Sequence, residues 1–310
     1  MSRGITAVPG VEVGHARVPG GDSGCTVLLG PFRGAVEVRG LATGSRELPT
    51  LSADHVVPRV DAILLTGGSA FGLAAADGVM AWLSERGRGY DTGVAPVPIV
   101  PTAVVFDLRE GRARPDASTG RAACDAAGRG PVAEGRVGAG AGTSVGKLAG
   151  RERASVGGVG TWAVESRGYT VGALAVVNAV GDVRDADGRI VAGARGDDGA
   201  FMDAERWLRE GAGPPTAGPP APGTNTTLAV VATDAPLPRV DLGRLARMAA
   251  NALSRRITPV HTPFDGDVVF AVSTADSPVD LDRRDVLALG TVAQHVLEEA
   301  ITRAVTAGDR

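Results

Sequence analysis

The chain has 310 residues, of which 44% are apolar, and a formal net charge of −3 at pH 7. This length and apolar content suffice for one large core or two small ones. Because no basic block is present, the charge gives no reason to expect nucleic acid or an anionic membrane as a partner. There is no apolar run of about 18 residues, and residues 1–16 lack the apolar region of a signal peptide, which favours the cytoplasm.

The cysteines and histidines predict neither a disulfide framework nor a metal site. Cys25 and Cys124 lie far apart and have no second cysteine or histidine at ligand spacing, so both are expected to be free thiols. The histidines are equally scattered: His15, His55, His261 and His295. The sequence therefore predicts no metal and no cofactor.

The first half of the chain predicts short strands followed by a helix. Apolar runs bounded by turn residues predict strands at 10–16, 25–30, 35–40 and 60–68. The first three are expected to form a meander, with a turn at Pro19-Gly20-Gly21. Apolar residues at helical spacing predict a helix over 69–87, and repeated proline predicts extended chain over 96–108.

The second half continues the alternation of strands and helices. The predicted elements are a glycine-dense loop at 135–150, a hairpin at 161–183 turning at Arg167-Gly168, a helix at 200–210, a Pro/Gly-rich coil at 211–225, a strand at 228–233, a helix at 241–256, a strand at 267–273 and a helix at 282–306. This order predicts an α/β protein with layered sheets. The stretch after 225 is too short for a stable domain alone, so residues 1–310 are interpreted as one domain with a flexible coil inside it.

Two catalytic motifs are nearly present and fail at their anchor positions. A phosphate-binding GxxxxGK[ST] loop requires glycine where Ala141 stands and a hydroxyl where Leu148 stands. A GxSxG nucleophile turn centred on Ser69 requires glycine at Phe71. We therefore favour Ser69 as the cap of the following helix, although the Gly68–Ser69 turn also presents free N–H groups to a substrate oxygen.

Four features remain that suit nucleophilic catalysis. An N-terminal threonine carries nucleophile and base on one residue, because its α-amine can take the proton of its own hydroxyl. Thr226 would become such a residue if the chain were cut after Asn225, and the coil 211–225 would let the new chain end depart. Lys147 is the single lysine of the chain, and as an ammonium it would lower the pKa of that amine.

The supporting polar residues have simpler interpretations when each is taken singly. Asn178 lies in an apolar strand, where its amide would donate to an oxyanion or satisfy a bulge. Asp265 and Asp267 would orient the amine or the lysine from one face of a strand, or would form a turn. Thr226 is also compatible with an ordinary strand start, and Lys147 with a surface position. Only the conjunction of these residues favours a catalytic site.

The motifs together resemble the P1 peptidases, peptidase family S58. These are GVEVGHA, ILLTGGSAFGLAAADGV, GRVGAGAGTSVGKLAG, GGVGTWAVES, VNAVGDV and NTTLAVVATDAPL, in order along nearly the whole chain. The group contains L-aminopeptidase/D-esterase and the endo-type 6-aminohexanoate (nylon) oligomer hydrolase. The resemblance implies an αββα sandwich of the L-aminopeptidase/D-esterase–ornithine acetyltransferase type with an N-terminal nucleophile. It also implies self-cleavage into chains 1–225 and 226–310, and a homotetramer.

Matched by motif, the resemblance implies the same catalytic set that the residues suggested: Thr226 as nucleophile after Asn225, Lys147, Asn178 as oxyanion donor, and the pair Asp265 and Asp267. The Asn-Thr junction and the Asp-Gly-Asp pair are similar to the nylon-oligomer branch. The chain departs from the family at Phe106, where a tyrosine is common, so a hydroxyl that would contact substrate is missing.

The resulting prediction is a self-processing amide hydrolase that works through a Thr226 acyl-enzyme on a small peptide or other amide, with Phe106, Gly68 and Ser69 in the substrate site. Two alternatives stay open: an acyltransferase with the same nucleophile, and an uncut, non-catalytic homologue. The motifs leave the substrate open among peptides, D-amino-acid esters, β-peptides and nylon oligomers.

Overall fold

The computed structural model describes residues 4–211 and 224–307. The strands are β1 Glu12–Arg17, β2 Gly24–Val38, β3 Ser45–Arg46, β4 Val60–Thr66, β5 Tyr90–Asp91, β6 Pro96–Val97, β7 Thr102–Val104, β8 Ser144–Val145, β9 Ser155–Val156, β10 Gly158–Ser166, β11 Tyr169–Asn178, β12 Asp182–Arg184, β13 Ile190–Ala192, β14 Thr226–Thr233, β15 Ile257–Thr258 and β16 Val268–Ser273. The helices are α1 Ala75–Ser84, α2 Ala117–Asp125, α3 Ala204–Arg209, α4 Arg239–Arg256 and α5 Arg283–Thr306.

The long strand β2 joins two sheet halves. The nine-stranded sheet has the order β10-β11-β14-β16-β2-β4-β7-β3, with β1 paired to β2. The first half of β2 pairs with β4, as at Leu28 with Ile63, and the second half pairs with β16, as at Val36 with Phe270. Since one strand serves both halves, the sheet folds over on itself and presents two stacked layers.

An apolar layer lies between the two halves of the sheet. It includes Leu28 and Ile63 from one half and Leu174, Val230 and Phe270 from the other, all fully buried. Side chains alternate along a strand, so the neighbouring residues of these strands face outward towards the helices. This alternation lets apolar strands bury both faces.

Helices cover both outer faces. On one face, α4 and α5 pack on β11, β14 and β16 through residues such as Leu245 and Leu297. On the other, α1 and α2 pack on β2 and β4 through Val79 and Leu83, and the free thiols of Cys25 and Cys124 are buried in that layer. The order of layers is helix, sheet, sheet, helix, which confirms the predicted αββα sandwich.

Several predicted elements are confirmed, and three differ from the structure. Arg167 and Gly168 both have positive φ, as the turn of a tight β10–β11 hairpin requires. The two strands predicted at 25–30 and 35–40 are one strand, β2, because its two halves pair with different neighbours. The helix predicted over 69–87 starts with a 3₁₀ segment, Ser69–Ala74, before α1.

The predicted flexible coil 211–225 lies mostly outside the described residues. Strand β14, which follows the coil, pairs antiparallel with β11 in the large sheet. Within the described ranges, no helix is long and apolar enough to cross a membrane.

Candidate active site

Thr226 is the first residue of β14 and lies opposite Asn178, the last residue of β11. The Thr226 side chain is buried, with 3% exposure. Its hydroxyl donates a short hydrogen bond of 2.5 Å to the carbonyl oxygen of Asn225, the preceding residue. The Thr226 hydroxyl therefore lies directly against the peptide unit that joins it to Asn225.

The Asn225 carbonyl oxygen has a second donor, the backbone N–H of Gly266, at 2.9 Å. Asn225 itself is fully buried and forms an isolated parallel bridge with Asp265. A Cβ atom at Gly266 would come within 2.9 Å of the Thr226 hydroxyl oxygen and 2.7 Å of the Ala42 carbonyl oxygen. Only glycine lets this backbone approach the Asn225–Thr226 bond so closely.

Lys147 reaches the same junction from the glycine-dense loop. Its Nζ donates to the backbone oxygen and to Oδ1 of Asn178, both at 2.9 Å, and to the carbonyl oxygen of Thr224 at 3.1 Å. The loop approaches closely because Gly146, at φ +78°, has no Cβ; one would lie 2.2 Å from the Ala194 nitrogen. The lysine is thereby placed beside the residue that precedes Asn225.

Burial and charge act against each other at Lys147. Three acceptor oxygens suit an ammonium with three N–H donors, whereas burial and the positive charge of Arg151 favour the neutral amine. Asp265 and Asp107 favour the ammonium at longer range. Burial is the largest effect, so the pKa of Lys147 lies well below its ordinary value.

The Asn178 amide is fully hydrogen-bonded. Its Oδ1 accepts from Lys147 and from the Ser144 backbone N–H at 3.1 Å. Its Nδ2 donates to the Phe106 carbonyl oxygen at 3.1 Å and to the Thr224 carbonyl oxygen at 3.4 Å. In the uncut chain this amide therefore holds the carbonyl one residue before the Asn225–Thr226 bond.

The two aspartates lie just before β16, not within a strand. Asp267 accepts from the Thr227 backbone N–H at 2.7 Å, and its other oxygen contacts Nδ1 of His261 at 2.9 Å. Asp265 accepts from the backbone and hydroxyl of Thr262 at 2.9 and 2.6 Å. The carboxylates thus bind different partners.

Burial makes the Asp265 carboxyl a weaker acid than an exposed aspartate. Desolvation, followed by the negative charge of Asp267, raises the pKa of Asp265 to about 6, although its bonds to Thr262 and the charge of Lys147 act in the opposite direction. The site therefore contains a carboxyl that titrates near neutral pH.

The three residues predicted for substrate binding contact this centre to different degrees. Phe106 touches it through its carbonyl, which holds Asn178. Gly68 donates its N–H to the buried carboxylate of Asp107 at 2.7 Å, so that N–H is not free for a substrate. Ser69 makes no side-chain capping bond, and Gly68 precedes the 3₁₀ segment, so the interpretation of Ser69 as a helix cap is wrong.

Three contacts of the site lay outside the sequence prediction. Gly266 contributes a backbone N–H, which no side-chain pattern signals. His261 was treated as a scattered histidine, yet it contacts Asp267. Asp107 follows Phe106 and is buried with its pKa raised, chiefly by desolvation. A signal was available for His261 alone, in its short spacing from the Asp-Gly-Asp motif.

Solved structures share this fold. A β-aminopeptidase from Burkholderia sp. has a TM-score of 0.72 and 24% identity, with 99% of this chain and 87% of that chain covered. The L-aminopeptidase D-Ala-esterase/amidase from Ochrobactrum anthropi, described as a variant among the Ntn hydrolase fold, has a TM-score of 0.71 and 22% identity, with coverages of 97% and 85%. The chain therefore has the fold of these two proteins, the second of which is described as a variant of the Ntn hydrolase fold.

The chain belongs to peptidase family S58, whose sequence model matches residues 3–310. A protein named an uncharacterized aminopeptidase from Mycobacterium leprae is 41% identical, covering 98% of this chain and 90% of the relative. A 6-aminohexanoate-oligomer endohydrolase from Kocuria sp. is 33% identical, with coverages of 96% and 84%. These findings confirm the predicted family and make the protein a hydrolase of amide bonds.

Proposed function

We propose that this protein cuts its own chain between Asn225 and Thr226 and then hydrolyses linear amides through the freed Thr226. The observation that carries the proposal is the 2.5 Å contact between the Thr226 hydroxyl and the Asn225 carbonyl oxygen. The contact places the hydroxyl next to the carbonyl group that it would attack, and such placement lowers the entropic cost of the reaction.

In the cutting step, Oγ1 of Thr226 adds to the carbonyl carbon of Asn225. Negative charge then develops on the carbonyl oxygen, where the N–H of Gly266 already donates a hydrogen bond. Collapse breaks the bond to the Thr226 nitrogen, and that nitrogen takes a proton equivalent to the one the hydroxyl lost. Water hydrolyses the resulting ester, which leaves a carboxylate on Asn225 and a hydroxyl and free α-amine on Thr226.

Lys147 is the group proposed to assist this proton transfer. Burial lowers the pKa of Lys147, which makes its ammonium a better proton donor than an exposed lysine, and its Nζ lies beside the Thr224 carbonyl. Departure of Thr224 after the cut removes one acceptor each from Lys147 and Asn178. The Nζ and Nδ2 donors then become available to the carbonyl oxygen of a substrate.

In turnover, the α-amine of Thr226 takes the proton of its own hydroxyl, which attacks the substrate amide. The leaving amine departs with a proton, and water resolves the ester, restoring Thr226. We propose short linear amides as substrates, since relatives named aminopeptidase and 6-aminohexanoate-oligomer endohydrolase share that bond type.

The two chains are expected to stay together after the cut. Strand β14 lies between β11, from residues before the cut, and β16, from residues after it. Helices α4 and α5 also supply much of the apolar layer over β11. Separation would expose this core, so the fragments should co-elute in native size-exclusion chromatography.

Denaturing gel electrophoresis and N-terminal mass spectrometry test the proposal. The wild-type protein should give two chains, the second beginning at Thr226. Thr226→Ala should remain a single chain of 31.3 kDa without amidase activity, whereas Thr226→Ser, which keeps a hydroxyl, should be cut. An active Thr226→Ala protein, or a wild-type chain that stays uncut on long incubation, would contradict the proposal.

A further inference from the structure

A small cavity lined by arginines lies beside the candidate active site. Its volume is about 120 Å³, and its charged lining consists of Arg109, Arg136 and Arg151. Thr143, Ser144 and Ser155 add polar groups to the wall, and none of its lining residues is acidic. We call this cavity the arginine pocket.

The positive charge of the pocket is not neutralised by ion pairs. Within residues 4–211 and 224–307, none of the three guanidinium groups has a carboxylate within 4.0 Å. Arg136 donates to the Ala141 carbonyl oxygen and Arg151 to that of Leu108, which uses only part of their N–H donors. The three guanidinium groups around this cavity therefore keep unpaired positive charge and N–H groups that could bind an anion.

Like charges repel within the pocket. Burial and the charge of Arg109 lower the pKa of Arg151, and the buried Asp107 opposes that effect only in part. Placing three cations together costs free energy in the empty protein. An anion in the cavity would relieve that cost, and a carboxylate would match the planar fork of a guanidinium with two parallel hydrogen bonds.

Direct contacts connect the pocket to the catalytic residues. Ser144, in the pocket wall, donates its backbone N–H to Oδ1 of Asn178. The Arg151 guanidinium lies 5.8 Å from the ring centre of Phe106, whose carbonyl holds the Asn178 amide. Asn178 in turn lies opposite Thr226. One hydrogen bond thus separates the wall of the pocket from the residue that faces the nucleophile.

We propose that the arginine pocket binds the terminal carboxylate of a short linear substrate whose amide bond lies at Thr226. This inference rests on the proposed function. Because the pocket wall is hydrogen-bonded to Asn178, which lies opposite Thr226, a bound carboxylate would belong to a residue only a few positions from the cleaved bond, at roughly 3.3–3.6 Å of extended chain per residue. The substrates would be free acids, such as short peptides or amino-acid oligomers, in preference to their carboxamides.

Matched substrate pairs test the proposal on the processed wild-type enzyme. Alanine dipeptide and tripeptide, and the linear 6-aminohexanoate dimer and trimer, are each supplied as the free acid and as the C-terminal carboxamide. The ratio of kcat/KM for acid over carboxamide should be about tenfold or more, the size of a charge-assisted hydrogen bond.

Arginine variants test whether the preference for free acids over carboxamides comes from the arginine pocket. Arg109→Gln should bring the acid-to-carboxamide ratio close to one, and this exposed side chain has no described protein partner whose loss would disturb folding. Arg136→Gln provides a second variant. The control is Arg112→Gln, three residues away, whose guanidinium pairs with Asp22 and should leave the ratio unchanged.

The outcomes separate the two proposals. Equal kcat/KM for acid and carboxamide, a preference that survives in both pocket variants, or a processed enzyme that hydrolyses none of the acids would overturn the carboxylate pocket while processing at Thr226 stands. An uncut wild-type protein without amidase activity contradicts the proposed function itself.

Discussion

The backbone N–H of Gly266 donates a 2.9 Å hydrogen bond to the carbonyl oxygen of Asn225, on the same peptide unit that the Thr226 hydroxyl contacts. The Gly266 donor and the proposed nucleophile, Thr226, thus contact the same carbonyl group. The Asn178 amide, which the sequence predicts as an oxyanion donor, donates to the Thr224 carbonyl oxygen. This arrangement suggests that chain cutting and substrate turnover use different donors, with Gly266 acting first and Asn178 becoming free afterwards.

Gly266→Ala should slow chain cutting by roughly 100-fold or more, because the new Cβ would displace either the Thr226 hydroxyl or the backbone donor. Time-resolved gel electrophoresis measures the rate. The control is Gly243→Ala in α4, where a Cβ meets nothing closer than 3.9 Å. That variant should be cut normally and gain about 0.5–1 kcal/mol of stability from helix propensity. Normal cutting of Gly266→Ala would contradict the assigned donor.

The activity of the processed enzyme should rise with pH around 6. The pKa of Asp265 is raised to about 6, and its ionised form favours the ammonium of Lys147. A pH profile of kcat/KM should therefore show an apparent pKa near 6. Asp265→Asn keeps an oxygen for the Thr262 N–H but does not titrate, so its profile should lose that step. An unchanged step in the variant would assign the titration to another group.

His261 should act as a positioning residue for Asp267. His261 has φ +56°, a conformation that glycine and asparagine tolerate better than other residues. His261→Asn keeps a donor near the position of Nδ1, whereas His261→Gly removes it without added backbone strain. We expect cutting to slow about tenfold in His261→Gly and to recover in His261→Asn. Equal rates in the two variants would show that the contact with Asp267 is irrelevant.

Two buried groups should change stability with pH in opposite directions. Burial lowers the pKa of His15 from 6.5 to about 4, so between these pH values the unfolded chain binds more protons than the folded protein. The free energy of unfolding therefore falls as the pH drops from 6.5 to about 4. Asp265 is raised from 3.8 to about 6, so stability falls as the pH rises through that window. Between pH 4 and 6 the two effects offset each other.

Urea unfolding of the uncut Thr226→Ala protein measures this balance without the concentration dependence of a two-chain molecule. Adding Asp265→Asn should remove one effect and leave that of His15. The free energy of unfolding should then rise between pH 4 and 6.5 by on the order of 2 kcal/mol more than in Thr226→Ala. A curve that stays parallel to that of Thr226→Ala would refute the opposing contributions.

The residues identified from sequence were those whose type conflicts with their surroundings. Lys147 is the single lysine among arginines, Asn178 interrupts an apolar strand, and Thr226 begins a strand directly after a Pro/Gly-rich coil. Such a conflict involves only neighbouring residues, so it can be recognised from the sequence. The same holds for the hairpin at Arg167-Gly168, where two adjacent residues specify the turn.

Contacts between distant segments required the folded molecule. Gly266 acts through a backbone N–H, so no side-chain type marks it, and Ser69 could be assigned as a cap only until its hydrogen bonds were known. Arg109, Arg136 and Arg151 resemble any other arginines in this arginine-rich chain. Local periodicity and residue chemistry therefore specified the layers and the residue types of the candidate site. Which donor meets which carbonyl, and which charges share a cavity, depended on loops that are distant in sequence and that only the folded chain brings together.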